Sequence, residues 1–204
     1  MTDALFWDKI ATKYAKDPIT DMDAYIKTRD RIREILQPHH RVIELGCGTG
    51  STALELADKV DRYIATDVSP KMIDIAQNKQ NGDTPAHLSF AVRSATDLSA
   101  GPHDVVLALN VLHLLPDLEA VLKQIYQAMP SGGVLIAKTA LLKDGAWFLP
   151  MVIPVMRAIG KAPFVRTLSG IELLEMLRQT GFSVTETMTQ TGIAPRMFTV
   201  AHKP

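Results

Sequence analysis

Apolar residues in this chain change period several times, and each change marks an element. Over the first forty residues they recur at helical spacing. Phe6, Ile10 and Tyr14 share one face at i, i+4 and i+8, and Met22, Ile32, Ile35 and Leu36 mark a second helix that stops near Pro38. Arg41–Leu45 is then a short apolar run closed by glycines, which predicts a buried strand. Ala53, Leu56, Ala57 and Val60 return to helical spacing, 62–66 reads as the next strand, and Ser69-Pro70 opens a helix with serine as N-cap and proline in the first turn. Strands follow at 87–92 and 104–109. A helical stripe of Leu118, Val121, Leu122, Ile125 and Met129 ends at the turn Pro130-Ser131-Gly132-Gly133, and 134–139 is a fifth strand.

Strands alternating with amphipathic helices predict βαβ units, hence a parallel sheet with helices on both faces. The tail departs from that rhythm. Ser169-Gly170-Ile171-Glu172 has capping-box spacing and opens a helix ending at Gly181, after which 182–188 and 197–202 are close enough for a hairpin but not for a crossover. The predicted fold is therefore α/β: a three-layer sandwich around a seven-stranded, mostly parallel sheet with an antiparallel C-terminal hairpin and an N-terminal helical cap. It reads as one domain, with the cap over 1–38, a ligand-binding core over 39–140, a lid-like insertion over 141–168, and the closing helix and hairpin over 169–204.

Composition narrows the function classes. Lys plus Arg equals Asp plus Glu at 22 each, so no global basic field gathers a polyanion and no nucleic-acid partner is expected. A single cysteine, Cys47, makes no internal disulfide. The first residues lack a basic-then-apolar signal pattern, and no stretch reaches the roughly 20 apolar residues that span a bilayer. These features lead to the expectation of a reducing, cytoplasmic setting.

The strongest local signal is Glu44-Leu45-Gly46-Cys47-Gly48-Thr49-Gly50, at the carboxyl end of the first predicted strand, where open α/β sheets bind ligands. A dinucleotide loop would place its third glycine at position 51, which is Ser51, and no Gly-Lys-Ser/Thr cradle for a nucleoside triphosphate is present. The spacing G-x-G-x-G after an acid resembles motif I of the class I S-adenosylmethionine-dependent methyltransferases. The likeness continues in order over roughly 40–140. Asp67 closes the second strand, Ser94-Ala95-Thr96-Asp97-Leu98 follows the third, and Asn110-Val111-Leu112-His113 follows the fourth. The glycine turn at 132–133 precedes the fifth strand, and the hairpin closes the sheet. The Asn-Val-Leu-His segment looks most like that of quinone-biosynthesis and small-metabolite methyltransferases.

The resemblance implies a donor site. Gly46, Cys47, Gly48 and Gly50 would form its floor, Asp67 would accept both ribose hydroxyls, and Val68 and Met72 would pack the adenine. Asn110 and Val111 would border the methionine end, and Glu44 would face its ammonium or order the loop. The family's adenine-binding aspartate falls on Ser94, a departure that shifts recognition toward Ala95, Thr96 or Asp97. S-adenosylmethionine would be the only cofactor, with S-adenosylhomocysteine as product. A sulfonium methyl is already electrophilic, so positioning rather than a metal or nucleophile supplies the catalysis.

His113 is the candidate base for a protonated acceptor, against a role as loop or cofactor contact, and Tyr14 could lean over the donor from the cap or fill the core. Residues 145–156 carry no charge and precede Arg157, Lys161 and Arg166. They suit a core helix, a dimer contact, a lid for a greasy acceptor, or a peripheral membrane patch over 145–157. The reading is methyl transfer to a small, hydrophobic acceptor by a monomer or homodimer. A Rossmann-type NAD(P)-binding oxidoreductase and a non-catalytic S-adenosylmethionine-binding regulatory protein are the alternatives.

Overall fold

The computed structural model describes residues 3–99 and 101–204. Seven strands run along the chain as β1 (Arg41–Leu45), β2 (Arg62–Asp67), β3 (Leu88–Val92), β4 (Val105–Leu109), β5 (Val134–Ala140), β6 (Ser183–Gln190) and β7 (Arg196–His202). The helices are α1 (Asp3–Lys16), α2 (Met22–Ile35), α3 (Ser51–Leu56), α4 (Pro70–Asn78), α5 (Leu118–Ala128), α6 (Leu149–Ala158) and α7 (Gly170–Thr180). The strands form one sheet in the order β3-β2-β1-β4-β5-β7-β6. β1 to β5 pair in parallel, while β7 slots antiparallel between β5 and β6. Chain order reverses beside β1, so the connections leaving β1 and β4 diverge and open a crevice at their carboxyl ends.

Each face of the sheet has its own core. On one, Ile43, Leu45, Val106, Ala108, Leu135 and Ala137 pack under Leu118, Val121, Leu122 and Ile125 of α5 and Leu173 and Leu177 of α7. On the other, Val42, Tyr63, Ala65, Leu107, Ile136 and Phe198 pack under Ile32 of α2, Ala53 and Leu56 of α3, and Ile73 and Ala76 of α4. Every residue of β5 is buried, as befits an inner strand covered on both faces, whereas edge strand β6 has no buried residue. The expected three-layer sandwich with its closing hairpin is the observed one.

Local signals act where the spacing placed them. Ser69 caps α4 by accepting from the Met72 amide, and the reciprocal Ser169–Glu172 capping box opens α7, which Gly181 ends at φ 109°. The segment after the glycine loop differs from a single helix. It breaks into a six-residue α3 and a 3₁₀ turn at Ala57–Lys59, which delivers Val60 into the core.

The cap is tied down by a polar contact. Asp8 of α1 accepts from Ser69 Oγ at 2.6 Å and from the Lys71 amide at 3.1 Å, docking α1 on the start of α4. The α6 segment is not part of the core. Trp147 is 80% exposed, Met151 66% and Val155 61%, because α5 and α7 on one face and α2 to α4 on the other already cover the sheet. The core-helix reading of this segment is thereby corrected. The insertion is held at its base by Leu141 and Ala146 amides donating to Pro195 and Ile193 carbonyls of the β6–β7 turn.

Candidate functional site

The loop after β1 is built from left-handed turns. Gly46, Gly48 and Gly50 have φ of 68°, 55° and 76°, a conformation that carries a steric cost for residues with a Cβ. Two of them are also crowded. A Cβ on Gly46 would fall 2.8 Å from Val111 Cγ2, and one on Gly50 would fall 2.7 Å from both Ala76 Cβ and the Phe90 ring. Gly46 thus lets the β1 loop lie against the β4 loop, and Gly50 lets it lie against α4. Cys47 donates its amide to the Thr66 carbonyl at 2.9 Å, and burial pushes its thiol well up, so it is a filler without nucleophilic character.

Asp67 fixes the middle of this loop. One carboxylate oxygen accepts from the Gly48 amide and the other from the Ser69 amide, each at 2.9 Å. It is 9% exposed, and burial raises its pKa against the pull of these amides. Lys79 secures the outer side, donating to the Thr49 carbonyl at 2.8 Å and to the Thr49 and Ser51 hydroxyls.

Glu44 does not order the loop. Its carboxylate is 2% exposed and accepts from Tyr63 Oη at 2.8 Å, a residue on β2, while no loop amide reaches it. Loop ordering therefore belongs to Asp67, and that reading of Glu44 is corrected. Burial pushes the Glu44 pKa up to about 7, with the Tyr63 hydroxyl opposing and the Asp67 charge adding to the rise.

Around this floor the other residues fall at the same edge of the sheet. Val68 is 38% exposed beside Asp67, whereas Met72 is buried at the start of α4. After β3, Ser94 and Thr96 bond to each other through their hydroxyls at 2.9 Å, and Asp97 holds the Ser99 hydroxyl at 2.6 Å, leaving the half-buried Ala95 between them. After β4, Asn110 takes a positive φ of 59°, a rare conformation for a non-glycine residue that concentrates at functional sites. Its amide donates to the Lys138 carbonyl at 2.7 Å.

His113 sits in the 3₁₀ turn Leu112–Leu114 with Nδ1 buried and unpartnered. Burial first, then the positive charge of Arg196, lowers its pKa to about 4, so the ring is neutral at physiological pH. Tyr14 reaches over the loop from α1: its Cε1 lies 3.8 Å from where a Gly48 Cβ would be. It is half-exposed, not a core residue, and partial burial with the nearby Asp67 charge raises its pKa.

The spacing of motifs did not reveal Asp8, Tyr63, Lys79, Lys138 or Arg196. Only Lys138 left a trace in the sequence, as a lone charge inside the run Val134–Ala140.

Comparison with known proteins agrees with this geometry. A family model described as a methyltransferase domain matches residues 19–187. A magnesium-protoporphyrin O-methyltransferase from Rhodobacter capsulatus is 35% identical over 118 residues, which cover 56% of this chain and 52% of that protein. The chain thus spans about half the length of that relative. Among solved structures, the N-methyltransferase NodS from Bradyrhizobium japonicum, in complex with S-adenosylhomocysteine, superposes with a TM-score of 0.76. It is 15% identical, and the match covers 100% of both chains. The magnesium protoporphyrin IX methyltransferase from Synechocystis PCC 6803, with bound S-adenosylhomocysteine, gives a TM-score of 0.70 at 19% identity. That match covers 98% of this chain and 93% of the other.

Proposed function

The chain belongs to the class I S-adenosylmethionine-dependent methyltransferases, and on that premise we propose that it transfers a methyl group from S-adenosylmethionine to a small, hydrophobic acceptor. The observation that carries the reading is the Asp67–Gly48 hydrogen bond within a left-handed G-x-G-x-G turn at the reversal point of the sheet. It supports a floor open to a ligand's backbone contacts, with a carboxylate at the ribose position. Asp67 holds the Gly48 and Ser69 amides internally, and its carboxylate also accepts the ribose hydroxyls.

In this reading Gly46, Cys47, Gly48 and Gly50 line the donor. Glu44 takes its ammonium, and Val68, at the rim, contacts the adenine with Met72 supporting from beneath. With the Thr96 hydroxyl and amide both engaged by Ser94 Oγ, the backbone of Ala95 is the best-placed polar contact for the adenine edge. Asn110 and Val111 border the sulfonium. The site holds the acceptor in line with the methyl group, and such positioning is worth roughly 7–11 kcal/mol of barrier. His113, neutral at physiological pH, accepts a proton from the acceptor, and Tyr14 closes the site from above.

The hydrophobic character of the acceptor rests on α6 and its surroundings. An open depression of about 480 Å³ on the side of that helix is lined by Ile153, Pro154, Arg157, Ala158, Phe164 and Val165. Between Asp144 and Glu172 the only charges are Arg157, Lys161 and Arg166. Exposed apolar side chains with basic neighbours suit peripheral contact with an anionic lipid surface, from which a greasy acceptor would be drawn. Among the described residues no helix is long and apolar enough to cross a membrane.

The oxidoreductase alternative loses its third glycine to Ser51, which is instead the first residue of α3. Calorimetric titration with S-adenosylhomocysteine and with NAD tests the donor reading: heat with the first and none with the second supports it, and the reverse ends it. Formation of S-adenosylhomocysteine from S-adenosylmethionine is then followed with phenols, quinols, lipids and a metalloporphyrin. Donor binding without turnover across that panel favours a regulatory binding protein.

A further inference from the structure

Lys138 is a buried ammonium without a counterion among the described residues. It lies near the carboxyl end of β5, 8% exposed, and donates to Thr28 Oγ1 of α2 at 2.9 Å. Thr28 donates its own proton to the Ala24 carbonyl at 2.7 Å, so this contact offers Lys138 a neutral acceptor and no charge. Asp21 is the carboxylate that attracts it, but it is the N-cap of α2, bonded to the Ala24 amide, and forms no ion pair with Lys138. Burial and the charge of Arg196 both work against the ammonium. A buried charge is normally paired, because desolvation costs several kcal/mol that only a partner offsets.

The sheet register shows where the partner belongs. Lys138 faces Phe198 across the β5–β7 ladder and Ala140 faces Arg196, so Lys138 and Arg196 are diagonal neighbours on one face, roughly 7–8 Å apart. Arg196 is exposed at the rim and forms no ion pair among the described residues. Glu44 points to the same face, since Glu44 is level with Leu107 on β4 and Leu107 with Ile136 on β5. β1 and β5 are two strand spacings apart and Lys138 lies two residues beyond the level of Glu44, so the two backbone positions are roughly 12 Å apart. Across that gap stand a buried acid and a buried base that do not pair: Glu44 turns to Tyr63 on one side and Lys138 to Thr28 on the other.

We propose that Lys138, with Arg196 at the rim, binds the carboxylate of the methyl donor's amino-acid end, opposite Glu44, which takes the ammonium. The inference rests on the donor reading above. A zwitterion is the ligand that this split pair of charges fits, and its two ends satisfy both residues at once.

The test compares S-adenosylhomocysteine with 5′-methylthioadenosine, which keeps the adenine, ribose and thioether but has no amino-acid end. In calorimetry, Lys138→Met is expected to weaken S-adenosylhomocysteine binding about 10- to 100-fold while 5′-methylthioadenosine binds as before. Arg196→Gln should show a smaller loss with the same selectivity, and Lys138→Arg should restore most of the affinity. Equal affinity of Lys138→Met and the wild type for S-adenosylhomocysteine overturns the proposal. So does a parallel loss for both ligands in Lys138→Met when Arg196→Gln binds both normally. If the wild-type protein binds neither ligand, the donor reading itself fails, a result distinct from the other two.

Discussion

Asp67 and Gly48 are joined by a 2.9 Å hydrogen bond that ties the end of β2 to the middle of the β1 loop. The carboxylate that stands at the ribose position is therefore also the one that shapes the floor beneath it. The Ser69 amide holds the other oxygen and the Val68 amide also pulls on the carboxylate, so a ligand at this position shares Asp67 with the loop.

Asp67→Ala should cost about 1.5–3 kcal/mol of S-adenosylhomocysteine affinity, the usual worth of hydrogen bonds to a charged group. It should also raise amide hydrogen exchange at Gly48 and Ser69, whose acceptors are gone. Calorimetry and exchange measured on one preparation check both. Unchanged affinity would move the ribose elsewhere.

Glu44 gives a pH signature. Its folded pKa of about 7 lies above the ordinary value of 4.5, so the fold prefers the protonated form. That contribution is complete below pH 4.5 and is lost as pH rises through 7, a change of order 3 kcal/mol. Glu44→Gln should therefore match the wild type in thermal stability near pH 4.5 and exceed it at pH 8. Donor binding should run the other way. Wild-type affinity for S-adenosylhomocysteine rises from pH 6 to 8 as the carboxylate forms, and Glu44→Gln removes that rise. Parallel melting curves for the two proteins at all pH values would contradict this assignment.

His113 should separate chemistry from binding. With its pKa near 4, the free enzyme shows no rate limb at 6.5 from this residue. His113→Gln is expected to lower kcat about 100-fold or more for an acceptor that loses a proton, with S-adenosylhomocysteine affinity unchanged. Loss of donor affinity together with rate would make the ring a cofactor contact.

The α6 segment offers an optical test. Trp147 is 80% exposed, so its emission should shift to shorter wavelength when the protein meets vesicles containing phosphatidylserine. Neutral phosphatidylcholine vesicles should produce a weaker shift, and Trp147→Phe should remove most of the signal, leaving Trp7. Co-sedimentation that salt does not weaken would argue against the roles of Arg157 and Lys161.

Several features were fixed by the chain's own pattern. Period changes placed all seven strands; the inner ones, β4 and β5 above all, read as short apolar runs because both their faces are buried. The caps at Ser69 and Ser169 and the stop at Gly181 are local, so local sequence shows them. The glycines at 46, 48 and 50 are legible as a loop at a strand end, and all three take left-handed φ there.

What only the tertiary structure decided are contacts between residues far apart in sequence. Glu44 turns to Tyr63 and leaves the loop to Asp67, and Asp8 docks the cap on α4. The exposure of α6 depended on both faces of the sheet being filled by other helices. Lys138 and Arg196 became neighbours through the antiparallel register of β5 and β7. Spacing along a chain sets the periodicity of a face, but which charges meet across it depends on strand order, and strand order is set by the packing of the whole sheet.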